Sequence, residues 1–101
     1  IFVDPSVSSP FPLLVVLEAM ASGMAIVATS VCYADRIIEH GYNGYLVTPR
    51  DADGIIKRVG ILIRDTGLRQ TMGQRSQQTA WNYEWKTNIQ TFVNVYRKLM
   101  R

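Results

Sequence analysis

Cysteine and histidine are almost absent from this sequence, with Cys32 and His40 as single examples. One cysteine excludes a disulfide within the chain and is compatible with a reducing compartment. A structural zinc site needs about four such ligands, so we expect no structural zinc. The longest largely apolar stretch, residues 11–20, contains Glu18 and is far shorter than the ~20 residues of a membrane-spanning helix.

No secretory signal is evident, because the chain opens on Ile1-Phe2-Val3 without a basic segment. We therefore expect a cytoplasmic location. The first residue is also not methionine, so we expect a fragment or an excised domain of a longer parent chain.

The 101 residues, 48% hydrophobic and 19% charged, have room for one domain with one main core. The net charge of +3 is unevenly divided, since residues 1–49 carry −3 and residues 50–101 carry +6. An anionic membrane surface or a nucleic acid would suit the basic half. Its basic residues stand singly, however, which favours a solvated helix face. We expect no nucleic-acid partner, and we keep peripheral membrane contact as an alternative.

The first half of the chain predicts strands that alternate with helices. Pro5 ends a β-prone run, Pro12 suits a first helical turn, and Gly23 suits a helix terminator. The predicted order is a strand in the run 1–5, helix 12–23, strand 25–29, helix 34–40 and strand 45–47. This order is typical of right-handed βαβ crossovers and a parallel sheet. Residues 1–50 are thus the βαβαβ part of a single α/β domain.

The second half, residues 51–101, predicts a tail of three helices. Asp51 is a suitable cap for the first, Thr66-Gly67 breaks it, and a second helix covers 68–81. The third starts at Asn82 or Glu84, with Trp81 and Trp85 expected to anchor it against the sheet. The residues expected to face the core are Ile55, Ile56, Val59, Leu62, Ile63, Leu68, Met72, Ala80, Ile89, Phe92, Val93, Tyr96 and Met100.

In an open parallel sheet, ligands bind beyond the carboxyl ends of the strands. There, the first helix opens with the amides of Leu13, Leu14 and Val15, which have no acceptor within the helix. These N–H groups and the positive end of the helix dipole suit a phosphate. Glu18, one turn further on, carries a carboxylate suited to the paired hydroxyls of a ribose. The alternative interpretation of Glu18 is a solvent-facing helix residue.

The segment from Phe11 to Thr29 closely resembles the hallmark of the retaining GT-B glycosyltransferases of group 1, family 4 in the usual classification. Its core, Leu17-Glu18-Ala19-Met20-Ala21-x-Gly23, is a specific signal. The resemblance continues through residues 37–47, Asp51 and the Leu68-Arg69-x-x-Met72-Gly73 element into the final helix. It implies a Rossmann-like parallel sheet, the second half of a GT-B C-terminal domain, followed by C-terminal helices.

The resemblance also implies a function for the parent chain: transfer of a hexose from a sugar nucleotide to a glycan, lipid or small acceptor. The donor pyrophosphate is then expected on the amides of Leu13, Leu14 and Val15, with Glu18 on the ribose. Neither a metal nor a cofactor is expected. The acceptor-binding domain and the basic phosphate clamp of this family would lie upstream of Ile1. By itself, the chain is expected to bind donor weakly and to turn nothing over.

The sequence departs from the family at the first of its two motif glutamates, which contacts the donor sugar. Its place falls on Pro10, or on Ser9 if one residue is inserted, and neither supplies a carboxylate. The catalytic group is therefore unknown. A non-catalytic binding or structural module that has kept the fold is the alternative function.

A second departure concerns the loop after the Ala28-Thr29 strand. A Gly-Gly pair followed by a glutamate is common there, whereas this sequence has Cys32-Tyr33 and then Arg36. The larger side chains would crowd a ligand, while Arg36 would attract phosphate. We expect Cys32 to be a buried thiol and His40 to lie at a helix C-terminus, neither of them catalytic.

Overall fold

Three parallel strands form the sheet of this computed structural model, which describes residues 1–8, 12–31 and 34–100, with side chains except at 84–92 and 96. They are β1 (Phe2–Asp4), β2 (Ile26–Thr29) and β3 (Gly44–Val47), in the order β1-β2-β3. Asp4 pairs with Ala28, and Val27 pairs with Tyr45. The predicted α/β fold with a parallel sheet is confirmed.

The central strand β2 explains the continuous apolar run of the sequence, because all four of its residues are buried. On one face of the sheet, α1 (Leu13–Ala21) packs Val16 and Met20 against Ile26 and Ala28. On the other face, Val27 and Tyr45 pack with residues of the later helices. The core is therefore two layers of side chains, one on each side of the sheet.

Helix α1 ends where the sequence predicts. The amide of Ser22 donates to the Glu18 carbonyl at 3.1 Å, and that of Gly23 donates to Met20 at 2.9 Å. Gly23 has φ +81°, a left-handed conformation that only glycine adopts without strain. The chain thus turns sharply from α1 into β2, which places the start of α1 at the carboxyl edge of the sheet.

The predicted helix 34–40 is wrong beyond its first turn, because only a 3₁₀ turn, Ala34–Arg36, forms. The cause is the buried side chain of Asn43. Its Oδ1 accepts from the Glu39 amide at 2.8 Å, and its Nδ2 donates to the Ile37 carbonyl at 3.0 Å. These backbone groups are therefore bound to a side chain instead of continuing a helix.

Helix α2 (Ala52–Arg64) begins at Asp51, as predicted, whose Oδ1 accepts from the Gly54 amide at 2.9 Å. Leu62 is fully buried, and Ile55 and Val59 are partly buried beside it. The expectation was wrong for the two remaining isoleucines, since Ile56 is 68% and Ile63 60% exposed. Positions 55, 59 and 62 share one side of the helix, and 56 and 63 lie about 100° away from 55 and 62.

The last two predicted helices are one continuous helix, α3 (Thr66–Leu99), of 34 residues and about 51 Å. Nothing in the sequence interrupts it, because neither glycine nor proline occurs after Gly73. The break before it lies at Asp65 rather than Thr66-Gly67. The Asp65 amide donates to Ile61 at the end of α2, and its Oδ1 accepts from the Leu68 amide at the start of α3.

The α3 residues Met72 and Ala80 are buried as predicted, and Leu68 is partly buried. Trp81 is 60% exposed, so its predicted anchoring role is wrong. Val93 and Met100, predicted to face the core, are 38% and 71% exposed. The side chains of Trp85, Ile89, Phe92 and Tyr96 lie outside the described residues. Among the described helices, none combines the length and apolar character needed to cross a membrane.

Candidate functional site

The described start of α1 lies where the sequence predicts it. The first intrahelical bond runs from the Val16 amide to the Pro12 carbonyl at 3.0 Å, so the amides of Leu13, Leu14 and Val15 precede the helical hydrogen-bond ladder. Pro12 supplies no side-chain cap, and no acidic residue lies in the first turn. No side chain in the first turn of α1 therefore offsets the positive end of the helix dipole.

Glu18 lies on the exposed side of α1 with Leu14 and Val15, which are 62% and 51% exposed. Glu18 follows Leu14 by four residues, so it stands one turn further along the same side, about 6 Å along the axis. Its carboxylate is accessible to a ligand. Exposure agrees with both interpretations of Glu18 that the sequence left open.

The tips of β1 and β2 are joined by side chains that the sequence did not single out. The Asp4 carboxylate accepts from the Ser6 amide at 3.2 Å and from its hydroxyl at 2.5 Å. The Thr29 hydroxyl donates to the Ser6 carbonyl at 2.5 Å. Because Asp4 follows Phe2 by two residues, it faces the α1 side of the sheet, below the start of that helix. These bonds fix the beginning of the loop that leads towards α1.

Asp4 is 6% exposed, and its Oδ2 has no hydrogen-bond partner among the residues that the structure describes. An aspartate directly before Pro5 indicates the end of a strand, where an exposed side chain is expected. The burial of Asp4 was therefore not predicted. The oxygen is inaccessible to solvent, so in this conformation Asp4 organises the loop and does not contact a ligand directly.

The neighbouring loops at this edge carry two exposed arginines. Arg36 ends the 3₁₀ turn that follows β2. Arg50, between β3 and α2, has φ +66°, the left-handed region that most side chains avoid. The amide of Ser30 donates to the Val47 carbonyl at 2.8 Å, which ties the tips of β2 and β3 together. The same loops also carry the exposed Asp35 and Asp51, so this edge of the sheet has charges of both signs.

His40 has a structural role, although it lies beside a strand rather than at a helix C-terminus as predicted. Its Nδ1 accepts from the Leu46 amide at 3.0 Å, and its ring meets that of Tyr45 edge-on at 5.5 Å. Its position at the isolated bridge to Gly44 puts it at the amino end of β3, opposite the strand tips. The expectation that His40 is not catalytic agrees with this placement.

The turn 41–44 is fastened to α3 at the same end of the sheet. Ser76 donates its hydroxyl to the Asn43 carbonyl at 2.6 Å. Arg75 donates to the Tyr42 carbonyl at 3.3 Å and stacks over the Tyr42 ring at 4.4 Å. These contacts hold β3 in place without reaching the candidate site.

Four residues singled out by the sequence, Ser9, Pro10, Cys32 and Tyr33, lie outside the described residues. Among the described residues, no group of three or more His, Cys, Asp or Glu side chains is arranged to hold a metal ion. What the structure brings to one edge is thus a set of helix-start amides, an accessible glutamate and two arginines.

Comparison with known proteins agrees with this geometry. The family model described as "Glycosyl transferases group 1" matches residues 1–79, which is more than half of the chain. The chain belongs to the group 1 glycosyltransferases. An uncharacterised glycosyltransferase of Methanocaldococcus jannaschii is 36% identical over 101 residues, a match that covers 99% of this chain and 26% of that relative.

Solved structures show the same fold. Sucrose-phosphate synthase from Thermosynechococcus elongatus matches with a TM-score of 0.82 and 27% identity, over 97% of this chain and 25% of that one. HepE of Anabaena, solved in complex with UDP, matches with a TM-score of 0.74 and 31% identity, over 79% of this chain and 22% of that one. The fold is that of GT-B glycosyltransferases, and the chain spans about a quarter of the length of these relatives.

Proposed function

We propose that this glycosyltransferase chain forms the donor-binding part of an enzyme that transfers a hexose from a sugar nucleotide. The observation that carries the proposal is the start of α1, where three successive amides precede the first described hydrogen bond of the helix, at the carboxyl edge of the sheet. A diphosphate would accept hydrogen bonds from these amides and oppose the helix dipole. The complexes of Anabaena HepE with UDP and with UDP-glucose support a donor of this class.

Glu18 is proposed to hold the ribose of the donor. With the diphosphate on the amides of Leu13, Leu14 and Val15, the nucleoside side would extend one turn along the exposed side of α1. A carboxylate accepts from two adjacent hydroxyls, a pair that a ribose offers and a phosphate does not.

Transfer itself requires groups beyond those assigned to this chain. No carboxylate stands at the place of the first motif glutamate, and the catalytic group is left unassigned. We propose that the parent chain supplies an acceptor-binding domain for a glycan, lipid or small hydroxylated molecule. The same proposal includes retention of the anomeric configuration and the absence of a bound metal or other cofactor. It also includes a cytoplasmic location, with peripheral contact to a membrane as an alternative.

The proposal is tested by replacing Glu18→Gln and measuring UDP binding by calorimetry. A charged hydrogen bond contributes ~1.5–3 kcal/mol, so we expect the dissociation constant to rise about tenfold or more. The matched control is Glu39→Gln, an exposed glutamate near the opposite edge of the sheet, which is expected to leave the affinity unchanged. Equal affinities of the Glu18→Gln variant and the parent sequence would remove the ribose role. Absence of UDP binding by the unsubstituted chain would favour the non-catalytic module.

A further inference from the structure

A groove lies between the end of α1 and the middle of α3, away from the carboxyl edge of the sheet. Its volume is about 620 Å³, and the described residues that line it are Ala21, Gln74, Gln77, Gln78 and Trp81. Cavities of this size accept small organic ligands. Ala21 is the last residue of α1, whose first turn forms the proposed donor site. The eight steps from Leu13 to Ala21 place the two sites about 12 Å apart along the helix axis.

Four of the lining residues form one stripe along α3. Gln74, Gln77, Gln78 and Trp81 follow one another at spacings that keep side chains on a single side of a helix over two turns. The stripe is about 10 Å long, which is enough for two linked sugar rings. At one end of it, Trp81 is 60% exposed, an unusual state for the side chain with the largest apolar surface.

The described lining residues of the groove are uncharged, and most of them are polar. Each glutamine amide has two N–H donors and an oxygen acceptor. Gln77 uses one donor on the Ala21 carbonyl at 3.1 Å, and Gln78 uses one on the Asn82 side chain at 3.3 Å. Each of these two amides is therefore oriented by the protein and has further hydrogen-bonding capacity for a ligand. None of the five lining residues carries a charge that would attract a phosphate or an acidic peptide.

We propose that this groove binds a neutral carbohydrate of about two sugar units, at a site separate from that of the donor. A pyranose ring has one face of C–H groups, which stacks on an indole, and a rim of hydroxyls, which pairs with amides. A flat exposed aromatic beside a row of side-chain amides matches both features. Since the groove is remote from the carboxyl edge, a sugar bound there does not react; it tethers a glycan to the protein.

The test is a titration of the ¹⁵N-labelled 101-residue chain with maltose, cellobiose and lactose. The side-chain signals of Trp81, Gln74, Gln77 and Gln78 are expected to shift and saturate with at least one of these sugars. UDP is expected to leave these signals in place. Trp81→Ala should weaken binding about tenfold or more, whereas Trp81→Phe should retain part of the affinity. Tyr83→Ala is the matched control, because Tyr83 lies on α3 outside the groove.

Unchanged Trp81 and glutamine signals with all three sugars would overturn the proposal. A second result would also overturn it: a Trp81 signal that depends on protein concentration, together with a dimer in sedimentation that is lost in Trp81→Ala. A second copy of the chain would then cover the groove. Failure of UDP binding at α1 leaves this proposal untouched, because the two sites share no residue.

Discussion

Gly73 is the position where a single added carbon is expected to damage the fold most clearly. Helix α3 passes so close to the turn after α1 that a Cβ on Gly73 would overlap the carbonyl oxygen of Gly23. Both partners are backbone, so neither can rotate away. In Gly73→Ala, either α3 or the turn that leads into β2 must therefore move.

The magnitude follows from two opposing contributions. Alanine stabilises a helix by ~0.8–1 kcal/mol relative to glycine, while overpacking a close contact costs ~1–3 kcal/mol or more. Because the contact is with backbone, the upper end of the overpacking cost applies, and for Gly73→Ala we expect a net loss of about 2 kcal/mol in the free energy of unfolding. In a domain of this size that corresponds to a fall in Tm of roughly 8–16 °C.

Gly60→Ala provides the matched control within α2. The nearest atoms to its added Cβ belong to the Arg64 guanidinium, at 3.4 and 3.5 Å, and this flexible side chain can move aside. Only the helix propensity then changes, and we expect a gain of about 0.5–1 kcal/mol. Urea unfolding followed by circular dichroism measures both variants. If Gly73→Ala stabilised the chain as much as Gly60→Ala, the close packing of α3 on Gly23 would be refuted.

Three further substitutions test other parts of the fold. Asn43→Ala removes the buried amide that binds Glu39 and Ile37, and urea unfolding should show a loss of ~2–4 kcal/mol; a loss under 1 kcal/mol would contradict this role. Asp65→Ala removes the cap of α3 and should lower the free energy of unfolding by ~1 kcal/mol, seen as a lower Tm; an unchanged Tm would contradict the capping role. Arg50→Gly should raise the free energy of unfolding by ~1 kcal/mol because it relieves a left-handed backbone, and a decrease would contradict that strain.

The strands and the start of α1 were predictable because their signals are local. The apolar run of β2, Pro12 and Gly23 each act on their own neighbours. The short 3₁₀ turn at Ala34–Arg36 was not predictable, since it depends on Asn43, which lies beyond the segment in sequence. The pattern of hydrophobic residues does not show that a side chain will bind backbone groups in place of the helix.

The length of α3 was missed for a different reason. The sequence pattern indicated a separate helix that starts at Asn82 or Glu84, although no glycine or proline supported a break there. The exposed Trp81 also reversed the usual expectation that tryptophan is largely buried. Which apolar residues of α2 and α3 face the core depends on the direction of packing, which periodicity does not specify.

For the candidate site, the sequence predicted the helix-start amides of Leu13, Leu14 and Val15, and in the structure the first described bond of the helix runs from Val16 to Pro12. The ligand itself and the role of Glu18 stay predictions. Asp4 and Thr29 were missed because their importance comes from the meeting of two strand tips, 25 residues apart in sequence.

The most direct measurement is a comparison of UDP with uridine on the ¹⁵N-labelled chain. If α1 binds the diphosphate, UDP should shift the amide signals of Leu13, Leu14 and Val15 in a saturable manner, and uridine at the same concentration should leave them nearly unchanged. Equal shifts with both compounds, or no shift of these three amides with UDP, would contradict a diphosphate site at the start of α1.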